Sequence, residues 1–215
     1  MLSFAAPSWQ TAILAQNTHR GPLGSGKARM ASLIVPRVYL SDYFTATNEQ
    51  ELSRLSITHV ISVLDRPAAI PDCIPEANRL RISVADRVDV DLSSYFDQTT
   101  EFITAALAEN EENNVLVHCF QGVSRSATVI AAYIVATTTM TASESIAYIQ
   151  AKRSVVSPNS GFRNQLETWG AQFLPEDKHS GGRMTRLSQR IADRMRELKA
   201  VAGAPPTPAK RTRAS

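Results

Sequence analysis

The chain has 215 residues, 43% hydrophobic and 20% charged, which is the make-up of a soluble globular protein with one ordinary domain plus tails, or at most two small domains. Two cysteines exclude a disulfide framework, no CxxC or paired Cys/His spacing suggests zinc, and no apolar run is long enough to span a bilayer, so a reducing cytoplasmic or nuclear setting is expected. The net charge of +3 divides unevenly: residues 1–29 hold three basic and no acidic residues, residues 30–177 ten basic and eighteen acidic, and residues 178–215 ten basic and two acidic.

In chain order, residues 1–29 read as a flexible extension, because the Gly- and Pro-rich RGPLGSGKAR interrupts any periodic pattern. A transit peptide has thin support from three basic residues, and no Lys or Arg precedes an apolar core as in a secretory signal. From Leu33, LIVPRVYL reads as one short strand with an edge-type proline, and NEQELSRL as one or two helical turns. HVISVL (His59 to Leu64) is a buried strand by its β-branched content, and RLRISVAD alternates Leu80, Ile82 and Val84 as another. Leu92, Tyr95, Phe96, Thr99, Phe102, Ile103, Ala106 and Leu107 recur at helical spacing. NNVLVHC is a strand, and RSATVIAAYIVATT is apolar nearly all round, as a buried helix would be. TASE (Thr141 to Glu144) fits a capping box opening the next helix, and Phe162, Leu166, Trp169 and Phe173 line one face of the last. This order implies an α/β domain over 30–176, with a central mostly parallel sheet flanked by helices on both faces. In the tail, 177–215, Leu187, Ile191, Met195 and Leu198 stripe a basic amphipathic helix, followed by the Pro-rich AGAPPTPAKRTRAS.

The chemistry concentrates between the NNVLVHC strand and the buried helix, at His118-Cys119-Phe120-Gln121-Gly122-Val123-Ser124-Arg125-Ser126. A helix N-terminus has unpartnered N–H groups and the positive end of the dipole, which suit an anion. Gly122 allows the tight turn that exposes loop amides, and Arg125 supplies a planar fork for two phosphate oxygens. The same field favours the thiolate of Cys119, which would be the nucleophile. Ser126, at the helix start, is placed to donate to the sulfur and ease its departure from an intermediate. His118, ending a buried strand, is expected to orient the loop and not to transfer protons. Phe120, Gln121, Gly122, Val123 and Ser124 complete the phosphate-binding loop. Cys73 lacks such neighbours and reads as a structural, apolar-type side chain. GxxxxGK[ST] and GxGxxG are absent, so a nucleotide-binding loop does not fit.

HCxxGxSRS followed by Ala127, Thr128 and an apolar helix resembles the signature of the dual-specificity phosphatases, within the Cys-x5-Arg protein tyrosine phosphatase superfamily. VYLSDYFTA, ITHVISVLD, DLSSYFDQTTEFI and SPNSGFRNQLETW extend the likeness over about residues 30–175. The resemblance implies a protein tyrosine phosphatase-like fold, with Cys119 as nucleophile, Arg125 as phosphate clamp and Ser126 assisting hydrolysis of the phosphocysteine. It also implies an aspartate as general acid and base on a loop upstream of the amphipathic helix. Asp86, Asp89 and Asp91 are the candidates. Asp86 has the family spacing to Tyr95, Asp91 sits where a helix N-cap is expected, and Asp89 reads as a solvated charge. Asn159 is placed to hydrogen-bond the signature loop or, with Ser160, to cap the last helix.

The expected substrates are phosphotyrosine and phosphoserine or phosphothreonine in proteins, protein kinases among them. Phe120, Gln121 and Val123 stand where lipid-directed relatives carry lysines, and the RNA-directed pattern HCTHGxNRTG is not matched. A lipid or RNA phosphatase, and a non-catalytic phosphate-binding scaffold, are the rival readings. No cofactor, metal or nucleic acid is expected. The basic tail reads as a solvated segment first, with docking on the acidic domain, an anionic membrane or nuclear import as its alternatives.

Overall fold

His59–Val63 and Val115–His118 are mostly apolar, and every residue of each is buried, so they occupy the centre of a sheet. The computed structural model describes residues 30–173, and the expectations for residues 1–29 and for the tail at 177–215 fall outside them. Five strands, β1 (Ser32–Val35), β2 (Val38–Ser41), β3 (His59–Val63), β4 (Arg79–Ile82) and β5 (Val115–His118), form one sheet in the order β1-β2-β5-β3-β4. β1 and β2 are antiparallel, and the remaining neighbours are parallel. The helices are α1 (Tyr43–Ala46), α2 (Glu49–Arg54), α3 (Phe96–Glu109), α4 (Arg125–Thr137), α5 (Ala142–Lys152) and α6 (Ser160–Gly170).

Alternate strand residues feed two cores, as the period-two pleat requires. Ile61, Val63, Val115 and Val117 pack with Phe96, Ile103, Ile130, Ile149, Phe162 and Leu166, so α3 to α6 cover one face. Val60 and Leu116 pack with Ala46, Leu52, Ile57, Ile70 and Ile74 from α1, α2 and the segment after β3, covering the other. α4 is buried from Arg125 to Val135, in keeping with its all-round apolar sequence. The Thr141–Glu144 capping box is present at the start of α5.

Three local expectations need correction. LIVPRVYL is not one strand but a hairpin, with Pro36 and Arg37 between paired Val35 and Val38. Arg37 adopts φ +65°, and a left-handed residue after proline is the type II turn pattern. Its guanidinium offsets that conformation by donating to the carbonyls of Leu107 (3.0 Å) and Asn110 (2.9 Å) at the end of α3. Cys73 is exposed, not core, because Ile70 and Ile74 on either side take the apolar positions. β4 ends at Ile82, so Asp86 lies in the loop beyond it, and a 3₁₀ turn over Ser93–Tyr95 precedes α3. Among the described residues no helix is long and apolar enough to cross a membrane.

Candidate active site

The loop from Cys119 to Ser124 leaves the carboxyl end of central β5 and runs into α4. A crevice beyond the carboxyl ends of parallel strands is where open α/β sheets bind ligands. Gly122 makes the turn at φ +68°, where a Cβ would stand 2.5 Å from the Ser41 carbonyl oxygen. Only glycine fits that contact and that backbone angle together.

Cys119 is 1% exposed. Its Sγ accepts from the Gly122 amide (3.2 Å) and the Ser126 hydroxyl (3.1 Å), so the expected serine partner is in place. Arg125 is buried, donates from Nη1 to the Val84 carbonyl (3.1 Å), and has Nε 3.5 Å from Asp86 Oδ2. Nε itself makes no hydrogen bond, so a buried donor stands beside the Asp86 carboxylate without a partner of hydrogen-bonding geometry. Asp65 adds a second carboxylate 3.9 Å from Arg125 Nη1. Asp86, Cys119, Phe120, Gln121, Val123, Ser124 and Arg125 line one pocket of about 330 Å³.

Of the three aspartates, Asp86 alone lines that pocket. Its Oδ1 accepts from the Ser124 hydroxyl (2.8 Å) and the Asn159 side-chain amide (2.9 Å). Asp89 pairs with Arg87 at 2.8 Å in solvent, and that hydrogen bond holds its carboxyl below the usual range. Asp91 accepts from the Ser93 hydroxyl (2.7 Å) and the Ser94 amide (3.3 Å), so it caps the 3₁₀ turn and not an α-helix. His118 is fully buried, with Nε2 2.7 Å from the Ser62 hydroxyl and Nδ1 3.4 Å from the Cys119 carbonyl. Burial lowers its pKa to about 4, against smaller opposing contributions from the Cys119 carbonyl and Asp42. A neutral ring donating from Nδ1 and accepting at Nε2 satisfies both contacts, and its position behind the loop fits orientation, not proton transfer.

Ser124 opens α4 without a side-chain cap, because its hydroxyl is turned to Asp86. By contrast α1, α2, α5 and α6 are capped by Asp42, Asn48, Thr141 and Asn159. The first amides of α4 therefore keep their capacity for an anion. Asn159 does both things weighed for it: Oδ1 caps α6 at the Phe162 amide (2.9 Å), its backbone amide donates to Ser124 (3.2 Å), and its NH₂ group holds Asp86.

Arg153 was not singled out by sequence. Its buried guanidinium donates from Nε to the Gly122 carbonyl (3.0 Å) and from Nη1 to the Met30 carbonyl (2.8 Å), with Nη2 3.5 Å from the Gln121 carbonyl. Burial pulls its pKa down, while the charges of Asp42 and Cys119 oppose that shift. Its hydrogen bonds tie two carbonyls of the Cys119–Ser124 loop to the residue that ends α5. Its sequence signal is no more than a basic residue ending a helix. Among the described residues, no group of three or more His, Cys, Asp or Glu side chains converges as a metal site requires.

A family profile described as "Dual specificity phosphatase, catalytic domain" matches residues 38–172. Dual specificity protein phosphatase 15 of Mus musculus is 34% identical over 148 residues, covering 69% of this chain and 59% of the relative. Dual specificity protein phosphatase 1 of Arabidopsis thaliana is 37% identical over 138 residues, covering 63% of this chain and 67% of the relative. The chain thus spans 59% of the length of the mouse relative and 46% of the human one it matches. Among solved structures, the crystal structure of DUSP15 superposes with a TM-score of 0.65 at 30% identity, over 79% of this chain and 96% of that one. The human tyrosine phosphatase-like serine/threonine/tyrosine-interacting protein superposes with a TM-score of 0.60 at 30% identity, over 66% and 97%.

Proposed function

Since the chain belongs to the dual specificity phosphatase family, we propose that it hydrolyses phosphotyrosine and phosphoserine or phosphothreonine in proteins through a phosphocysteine intermediate. The phosphoryl oxygens bind the loop amides, the start of α4 and the Arg125 guanidinium, whose Nε has an ion-pair contact with Asp86 but no hydrogen bond. Cys119 Sγ, as thiolate, attacks phosphorus in line with the leaving oxygen. The P–O bond breaks as the S–P bond forms, and the Asp86 carboxyl gives its proton to the leaving alkoxide or phenoxide. Asp86, now a carboxylate, takes a proton from water as that water attacks phosphorus. The S–P bond then breaks, and the Ser126 hydroxyl, 3.1 Å from Sγ, stabilises the departing thiolate.

The observation that carries this reading is the meeting of Asp86 with Cys119 and Arg125 in one pocket, the aspartate coming from more than thirty residues upstream of the loop that holds the other two. A scaffold that binds phosphate without turnover is the rival, and the name of the human interacting protein keeps it in view. Such a scaffold has no use for a carboxyl held by Ser124 and Asn159 in the same pocket as Cys119. Phosphoproteins, protein kinases among them, are the proposed substrates, in the cytoplasm or nucleus.

Leaving-group dependence tests the assignment of the acid. Asp86→Asn is expected to lower kcat on the order of 10²-fold for an alkyl or poor aryl leaving group, and far less for para-nitrophenyl phosphate. If Asp89→Asn gives that pattern and Asp86→Asn does not, the assignment is wrong.

A further inference from the structure

The pocket mouth carries an aromatic wall that phosphate chemistry does not use. Phe44 and Phe120 are 66% and 39% exposed, the two phenylalanines among the large apolar side chains left on the described surface. Their ring centroids lie 6.2 Å apart. Tyr43 backs both, edge-on to Phe44 at 5.7 Å and tilted against Phe120 at 6.3 Å. The Arg66 guanidinium stands 5.4 Å from the Phe120 ring centroid as a cation–π partner. Three segments therefore meet here: α1, the stretch after β3, and the phosphate loop. The Tyr43 amide donates to the Phe120 carbonyl at 3.2 Å, so the wall is tied to the catalytic loop itself. An exposed aromatic cluster beside a polar cleft marks a recognition surface.

The occupant follows from continuity and charge. Phe120 both lines the pocket and forms the wall. Consecutive Cα atoms are about 3.8 Å apart, so a chain that lowers a phosphorylated side chain into the pocket crosses the wall within one or two residues. Arg66 already faces the Phe120 ring and Asp65 Oδ1 at 3.7 Å, so an acidic side chain gains little there, whereas an apolar one covers two exposed rings.

Resting on the phosphatase reading above, we propose that Phe44, Phe120 and Arg66 form a specificity subsite for an aromatic or branched aliphatic side chain one or two residues from the phosphorylated residue of the substrate. The subsite acts on substrate selection and leaves the chemical step alone.

The test uses the full chain, two phosphotyrosine peptides that differ only in carrying Leu or Ser at the flanking positions, and para-nitrophenyl phosphate as a substrate with no flanks. The expected result is a preference for the Leu peptide of roughly tenfold in kcat/KM, carried by KM. Phe44→Ala and Arg66→Ala should each shrink that preference while para-nitrophenyl phosphate turnover stays unchanged. Equal kcat/KM for the two peptides, or a preference undiminished in Phe44→Ala, overturns the subsite while leaving the phosphatase reading intact. Dimerisation of the wild type that Phe44→Ala abolishes would give the wall to a second copy and also overturn it. If para-nitrophenyl phosphate is not turned over, the phosphatase reading fails. The same peptides titrated by calorimetry then decide the subsite: a tenfold lower Kd for the Leu peptide supports it, and equal Kd values overturn it.

Discussion

His118 sits where strand, loop and Cys119 join, and its surroundings make a pH-dependent demand on the fold. An imidazole in the unfolded chain titrates near about 6.5, whereas burial holds the folded one at about 4. Between those values the unfolded chain binds a proton that the folded chain refuses. The folded state is therefore at full advantage above the unfolded pKa and loses stability as pH falls towards the folded pKa, by a total on the order of 3 kcal/mol. His59 is shifted the same way, by burial first, and adds to the loss. Urea unfolding at pH 7 and pH 5 should show wild type weakening with acid and His118→Asn weakening less. Equal pH slopes in the two proteins would contradict the buried neutral ring. At this scale Cys119, Arg125 and Ser126 were legible because their chemistry is packed into eight consecutive residues. Arg153 was not, since the Gly122 carbonyl that it holds lies 31 residues away, and of the contacts Asn159 makes only its hold on Asp86, 73 residues away, went unread.

Helix starts show how one residue type serves two ends. Thr141 spends its hydroxyl on its own helix, accepting the Glu144 amide at 3.3 Å while Glu144 returns to the Thr141 amide at 2.8 Å. Ser124 occupies the equivalent place on α4 and gives its hydroxyl to Asp86 instead. Thr141→Ala should therefore lower stability by about 1 kcal/mol with kcat/KM unchanged. Ser124→Ala should do the reverse, with little effect on the urea midpoint and roughly tenfold lower kcat/KM for substrates that need the acid. Matched losses of stability in both variants would remove the distinction. Helices and central strands were legible from periodicity and β-branched runs. The β1–β2 hairpin was not, because Pro36-Arg37 lacks the Gly or Asn that marks a two-residue turn, and its left-handed residue is held by carbonyls at the end of α3, some seventy residues on.

The sheet sets the pocket at the carboxyl ends of its parallel strands. β5 lies between β2 and β3, so Ser41 backs the loop that follows it at Gly122 and Ser62 holds His118 at the strand end just before that loop. α4 is sunk in the larger core, which fixes the axis along which its N-terminal dipole points at the pocket. β4 brings the loop holding Asp86 over that dipole, and α6 supplies Asn159 to keep it there. The net negative charge of residues 30–177 does not oppose this design, since the pocket field comes from Arg125 and oriented amides and not from the domain total. The central claim, covalent catalysis at Cys119, is tested most directly by mixing the protein with para-nitrophenyl phosphate, quenching in acid within the first turnover, and mapping phosphate by mass spectrometry. The account predicts one phosphoryl group on the peptide containing Cys119, more of it in Ser126→Ala and none in Cys119→Ser. Turnover with no phosphate on that peptide in any of the three proteins would contradict it.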